Sequence, residues 1–369
     1  MLEIKERNFE AFFTAAFNAY PPESPYVSPM KSDLRRFLTA GVNPLFTSDD
    51  QFTFFAAYRS GRPVGRITAH IHDASNRKFG LKLGYFGFFD CADDPVAASL
   101  LLEAAERWAS QKGLDQIAGN FNLTAMQQIG VTTGGFEHAP YTDFVYSAPW
   151  IAGFLEANGY GREFPMTTFE TDITRVDPAM LLGERQKTLL SNPDFTFAPI
   201  TGKTLMPRLE DARAVLNASF IDNPMFVAQT QEEFAFQAKE MKWIMDPRIS
   251  SVVHHKGKPA GAVIAIPDLN PFLRSIGSKL GWTTPWHFLR HRMNRTRAVI
   301  IFQGVAPEFQ SIGLNPLMLY KVVSAMKAAG YLTVGGTWIA DENTASLRQT
   351  EKAGARPQHR QHLFRKTLS

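Results

Sequence analysis

The sequence predicts an α/β fold built twice in tandem, each copy a mixed, twisted sheet flanked by helices. Three observations carry this. Residues 297 to 331 read as a buried strand, a Gly-containing turn and an amphipathic helix in direct succession. The same order of segments recurs once in the first half of the chain. A length of 369 residues also exceeds one ordinary domain, so two are the natural division.

The first copy opens with a helix over 7–19, with Phe9, Phe12, Phe13, Ala16 and Phe17 as its apolar stripe. The Pro-rich stretch Pro21 to Pro29 ends it and is either a linker or a lid. A second helix runs from Lys31 to Ala40. A hairpin joins Phe52–Tyr58 to Val64–His72 through Arg59-Ser60-Gly61-Arg62. Gly84 to Phe89 is a further strand. Pro95 to Lys112 is a clear helix with Asp93 and Asp94 at its start and Gly113 at its end, followed by a strand Gln116–Gly119. Asn120-Phe121-Asn122 and Thr132 to Phe136 read as a loop facing substrate. The repeat places the first copy at 1–173, a helical linker at 174–193 and the second copy at 194–369.

In the second copy, Ala298-Val299-Ile300-Ile301-Phe302 is the strand. Glu308 to Gly313 is the turn, and the helix runs from about Leu314 to Ala329 with Gly330 as its stop. Such a junction aims free backbone N–H groups and the positive helix end at one point, which is an anion cradle. The first copy has two carboxylates, Asp93 and Asp94, where a pyrophosphate would sit, so it reads as scaffold and substrate wall.

Composition bounds the rest. A hydrophobic share of 44% suits a globular protein, and thirty Phe leave room for an apolar substrate channel. A net charge of +4 excludes a general polyanion binder. The single Cys91 excludes an internal disulfide and suits a reducing cytoplasm. The first residues mix charges and lack a signal-peptide apolar block, and no run reaches the ~18 apolar residues of a membrane span. A cytoplasmic protein, at most peripheral at the inner membrane, is expected.

Val305-x-Pro307-x-x-Gln310-Ser311-Ile312-Gly313-Leu314-Asn315 resembles the acyl-CoA signature of the GCN5-related N-acetyltransferase (GNAT) superfamily, a Gln/Arg-x-x-Gly-x-Gly/Ala turn. Asn343 to Ala355 resembles the family's Asn-led helix ending in Glu-Lys-x-Gly. The chain departs from the pattern at Asn315, which Pro316 follows, and at Thr350, where many members place a tyrosine acid. Several segments together resemble a bacterial group of tandem acetyltransferase-fold proteins. They are Asn43-Pro44-Leu45-Phe46, Val64 to Ala69, Gly84 to Phe89, Pro267-Asp268-Leu269-Asn270 and Thr337-Trp338 before Glu342-Asn343. Long-chain N-acyltransferases, including bacterial ceramide synthases, are similar in layout.

The resemblance implies an acyl-CoA co-substrate, an amine acceptor and no metal. It implies that Phe302, Val305, Gln310, Ser311, Ile312, Gly313, Leu314, Asn315 and Asn343 hold the CoA thioester. Acyl transfer to an amine needs a base for the ammonium, donors for the thioester oxygen and an exit for the thiolate. Backbone N–H groups from Ile301 to Val305 serve the oxygen, with Gly304 allowing close approach. Asp341 and Glu342, at the end of the strand through Trp338, either accept the proton or cap the next helix. His254, His255, His359 and His362 compete for the base role. His70-x-His72 lacks further ligands for a metal.

From Leu269 to Pro307 there is no Asp or Glu, while Arg274, Lys279, Arg290, Arg292, Arg295 and Arg297 interleave with Trp282 and Trp286. Residues 272–297 either meet an anionic membrane surface or form a solvated insertion. Nucleic acid is not expected, because the remainder is nearly neutral. The reading is therefore an acyl-CoA-dependent N-acyltransferase, its acceptor a lipid-like (sphingoid) amine. A non-catalytic acyl-CoA-binding protein and a transferase using aminoacyl-tRNA share the architecture.

Overall fold

The computed structural model describes every residue except 124–127, 222–225, 239–240 and 369. In the first half, strand β1 (Leu2–Glu6) leads into helices α1 (Phe9–Ala19) and α2 (Lys31–Phe37). Strands β2 (Phe52–Arg59) and β3 (Arg62–Ile71) form the hairpin, followed by α3 (Asp73–Phe79) and β4 (Leu83–Cys91). Then come α4 (Pro95–Gln111), β5 (Gln116–Gly119), β6 (Val131–Gly134), α5 (Ile151–Ala157) and β7 (Gly161–Asp172). Strand β1 escaped the sequence reading, although Leu2 and Ile4 alternate with Glu3 and Lys5 and pack on the core. Residues 131–134, expected in a loop, form a strand because the far C-terminus pairs with them.

Residues 174–193, expected as a helical linker, contain α6 (Glu184–Ser191). The second half continues with β8 (Phe195–Pro199), α7 (Leu205–Ser219), α8 (Gln231–Ala238), α9 (Met241–Ile244), β9 (Ser251–His255) and β10 (Lys258–Pro267). Short helices α10 (Asn270–Ser275) and α11 (Thr284–Asn294) precede β11 (Arg297–Val305). The chain ends with α12 (Leu314–Ala328), β12 (Thr333–Ala340), α13 (Thr344–Lys352) and β13 (Arg356–Thr367).

Among the described residues, all strands join one 13-stranded sheet, ordered β1-β2-β3-β4-β5-β13-β7-β12-β11-β10-β9-β8, with β6 beside β13. The two halves exchange their last strands. Strand β13 pairs with β5 of the first half, Phe364 opposite Gly119, and β7 pairs with β12 of the second, Asp172 opposite Thr333. The sheet therefore runs unbroken past residues 173 and 194.

Each half carries the same two irregularities in its fourth strand. In the second, Ile264 faces Phe302 but Ala265 faces Ile300, so Ile301 is an extra, bulged residue. The parallel pairing of β11 with β12 ends at Ile300 opposite Gly336, and the strands part beyond it. In the first, Arg66 faces Asp90 and Thr68 faces Gly87, with Phe88 and Phe89 bulged opposite Ile67. There β4 pairs with β5 only from Leu83 to Tyr85.

The first opening is filled by the chain itself. Phe121 N donates to Phe86 O at 2.8 Å, Phe88 N to Asn122 Oδ1 at 2.7 Å and Phe89 N to Asn120 Oδ1 at 3.3 Å. Gly87 is required there, since the Phe121 carbonyl lies where a Cβ would be.

Candidate functional site

The second opening leads into a cavity of about 560 Å³, within the ~300–1,000 Å³ usual for ligand sites. Its walls include Ile300 to Gln303 of β11, Val334 to Ala340 of β12, Leu319 and Val323 of α12, and Ser346, Gln349 and Thr350 of α13. The first half supplies Tyr26 to Met30, Phe88, Phe89 and Pro140 to Ser147. The Pro-rich stretch is thus partly a cavity wall. It is tied to the segment after α10 by Ser278 Oγ donating to Ser28 O at 2.6 Å and Lys31 N donating to Ser278 O at 2.9 Å.

Residues 139–145 cross from the first half onto the second. Thr142 N and Oγ1 both donate to Asp268 Oδ1 at 3.0 Å, and Asn270 Nδ2 donates to Pro140 O at 2.8 Å. The Tyr141 ring lies 2.7 Å from where a Cβ on Gly335 would stand, so only glycine admits it beside the parting of β11 and β12. Tyr141 and Phe144 share one apolar cluster with Ile301 and Phe302 of the bulge.

The cradle forms outside the cavity. Gly313, at φ +97°, precedes α12, and among the described residues no side chain caps that helix. Ser311 is left-handed too, at φ +67°. Ile312 packs on the core under the turn, Gln310 Nε2 donates to Val305 O at 3.2 Å, and Leu314 is buried. Gln186 of α6 lies against Gly313 and donates to its carbonyl at 3.2 Å. The matching helix of the first half, α4, is capped by Asp94, which accepts from Ala97 N at 3.1 Å and holds Arg59. That N-terminus already has its anion.

Of the CoA-binding residues expected from the sequence, Phe302, Asn315 and Asn343 line the cavity. Asn343 caps α13, accepting from Ser346 N at 3.1 Å. Asn315 does not face the turn. Its Oδ1 accepts from Gln303 Nε2, and its Nδ2 donates to Gln349 Oε1 at 2.6 Å, so it ties β11 to α13 across the opening. Gln349 Nε2 and Trp338 Nε1, both on lining residues, are buried with no hydrogen-bond partner among the described residues. Buried donors of this kind are what a bound oxygen would satisfy.

The expected catalytic groups are placed less favourably. Asp341 forms a two-pronged ion pair with Arg360, both oxygens at 2.6 Å, and this guanidinium holds its carboxyl below the usual range. Glu342 is exposed, and neither acid is among the lining residues. Close approach at Gly304 is made by the protein itself, with Ser219 Oγ and the Phe302 ring each 2.8 Å from a Cβ position there. Thr350 Oγ1 donates back to Ser346 O at 2.8 Å.

The histidines lie elsewhere. His254 meets Asp211 at 3.0 Å, His359 donates to His138 O at 3.1 Å, and His362 meets Thr133 Oγ1 at 2.8 Å. Burial depresses both His359 and His362, and it pushes His70 down to about 3. No motif marks Asp143 or Gln303, and Gln349 falls inside the Asn-led helix motif without a role of its own there; long-range packing brings the three to one cavity.

No protein-family model matches the chain. Protein YghO of Escherichia coli K12 is 25% identical over 377 residues, covering 99% of this chain and 94% of its own length. The bacterial ceramide synthase of Caulobacter vibrioides is 25% identical over 366 residues, covering 96% of this chain and 93% of its own. A solved tandem GNAT protein from the clavulanic acid biosynthesis pathway superposes with a TM-score of 0.60 at 14% identity, covering 100% of this chain and 99% of that one. The chain thus has the tandem GNAT fold throughout, and the fold and relatives together support an acyltransferase.

Proposed function

We propose that the protein transfers an acyl group, long-chain by preference, from a CoA thioester to a lipid-like amine of the sphingoid type. Residues 194–369 form the reacting half in this reading, and 1–173 the second wall. One contrast carries it. The second half keeps a cavity where its strands part, with the Asn315 side chain spanning the gap, and its α12 N-terminus has no side-chain cap among the described residues. The first half fills the one with Asn120 to Asn122 and the other with Asp94.

The pyrophosphate would sit over Gln310 to Leu314, against the free N–H groups of the turn. The pantetheine arm would run along the β11 edge from Phe302 to Val305, with Asn343 beside it. Backbone N–H groups past the bulge would take the charge developing on the thioester oxygen. The acyl chain and the amine would share the apolar cavity. The name of the Caulobacter relative supports the lipid class.

The test is release of free thiol from palmitoyl-CoA in the presence of sphinganine and a panel of other amines. Product amide at one equivalent per thiol supports the reading. A second reading, a non-catalytic acyl-CoA-binding protein, is favoured by Thr350, whose hydroxyl is occupied by its own helix. Tight acyl-CoA binding with no thiol release would select it.

A membrane surface is proposed as the place of work. Trp282 is 94% exposed, and α11 turns Trp286, Leu289 and Met293 outward beside Arg290 and Arg292. An amphipathic helix with its apolar side in solvent and basic neighbours suits an anionic bilayer. The helix stands near the cavity wall formed by Leu269, Asn270 and Leu273. Among the described residues, no helix is long and apolar enough to cross a membrane. Arg295 and Arg297 are not available to lipid. Arg295 pairs with the buried Asp246 at 2.6 Å and Arg297 with the buried Asp268 at 2.9 Å. Reversing Arg290 and Arg292 to Glu should therefore loosen sedimentation with phosphatidylglycerol vesicles without lowering Tm. At ~1 kcal/mol per basic residue, the two reversals should cost tenfold or more in partitioning. Equal sedimentation at low salt would remove the membrane from the account.

A further inference from the structure

Among the described residues, five charged side chains line the cavity: Asp33, Arg36, Arg66, Asp90 and Asp143. Four are matched with each other, Arg66 to Asp90 at 2.7 Å and Arg36 to Asp33 at 3.4 Å. Asp143 has a neutral partner instead, the Gln128 amide, whose Nε2 donates to Oδ1 at 3.3 Å. It is the acid of this cavity without a cation among the described residues. Burial raises its carboxyl above the usual carboxylate range.

Its position follows from its neighbours. Thr142 is pinned to Asp268, Tyr141 covers Gly335 at the parting of the strands, and Phe144 packs in one cluster with Ile301 and Phe302. Asp143 is set between them at φ +69°, a left-handed conformation that Asp tolerates better than most residues. The acid therefore lines the same cavity as Ile300 to Gln303 of β11, although it comes from the other half of the chain, and its partner Gln128 accepts in turn from Asn122 Nδ2 at 3.1 Å.

We infer that Asp143 is the site that receives the substrate's ammonium group and takes its proton. The inference rests on the acyl-transfer reading for its chemistry. The ammonium gives one proton to the carboxylate. The freed nitrogen lone pair then forms the C–N bond at the thioester carbon while the carbonyl pair moves to oxygen. When that pair returns, the C–S bond breaks and sulfur leaves as thiolate. The second nitrogen proton passes to the thiolate, and Asp143 returns its proton to solvent. Desolvation favours the first step, since it makes the carboxylate a better acceptor. A partly buried carboxylate with no cation beside it among the described residues also selects a cation over a neutral ligand of equal shape.

The experiment uses octylamine and octanol, equal in chain and different in charge, on the full-length protein. Calorimetry should show wild type preferring octylamine by tenfold or more. Asp143→Asn should bind both alike with its octanol affinity unchanged, and Asp143→Glu should keep the preference. Turnover of palmitoyl-CoA with sphinganine should fall ~10²–10⁴-fold in Asp143→Asn, the usual range for a lost general base, while palmitoyl-CoA affinity stays the same. An Asp143→Asn protein that keeps the octylamine preference, or wild-type turnover, overturns the inference. So does a loss of turnover confined to Glu342→Gln. If wild type prefers octylamine through Asp143 yet releases no thiol from any donor, the ammonium site stands and the acyl-transfer reading falls.

Discussion

Saturating palmitoyl-CoA should raise the Tm of the wild-type protein by several degrees, and Gly313→Glu should remove that shift. A ligand at a hundred times its Kd contributes about 2.7 kcal/mol to stability. A carboxylate at position 313 would stand where the pyrophosphate belongs. At about 4 Å and an effective dielectric near 20, each pair of like charges costs about 4 kcal/mol, on the order of a thousandfold in affinity. Gly313 is also left-handed and touched by Gln186, so any side chain there strains the turn. Gly313→Ala carries the same strain without the charge and isolates the electrostatic part. It should keep most of the ligand shift, from a lower starting Tm. Asp94→Ala in the first half should leave the acyl-CoA shift intact, because that helix end is not where the nucleotide lies. Equal shifts in wild type and Gly313→Glu would move the phosphate site off the α12 turn.

The turn was legible in the sequence because everything that makes it is local. A strand, a glycine at positive φ and a helix start lie within twenty residues, and no distant partner is needed. Asn315 was legible only as a departure. Its role, tying Gln303 to Gln349 across the opening, depends on three elements that sequence order separates. Asp341 was correctly placed at the end of its strand. What engages its carboxylate is Arg360 on β13, a neighbour set by register across β7. The exchange of β7 and β13 left no trace in either strand's own pattern, since an inner strand reads alike whichever half it pairs with. The same exchange welds the halves together and lets residues 139–145 close the cavity of the other half, so Asp143 could not be found from any motif. Arg295, counted with the surface cations, proved to be held by the buried Asp246, which also accepts from Arg248 and Tyr331.

Palmitoyl-CoA should exceed acetyl-CoA in kcat/KM by a hundredfold or more, and narrowing the cavity should reverse the order among long donors. Each methylene withdrawn from water contributes ~0.8 kcal/mol. Four buried methylenes therefore supply ~3 kcal/mol, about a 200-fold preference, and a cavity of about 560 Å³ has room for more than four. The loss of chain freedom on binding keeps the realised preference below the full sum. Gly336 offers a clean way to shorten the space. It lines the cavity at the last position where β12 pairs with β11, and a Cβ added there meets nothing within 4 Å. Gly336→Leu can thus project into the cavity without displacing the strand. Palmitoyl transfer should fall at least tenfold in this variant, octanoyl transfer should become the fastest, and acetyl transfer should hold near wild type. Donor length and amine length should be varied separately. A shift confined to the amine series would assign the cavity to the acceptor's chain and leave the acyl chain to another path. A wild-type preference for acetyl-CoA would remove the long-chain donor altogether, and with it the reason for an amphipathic helix such as α11 to face a bilayer beside this cavity.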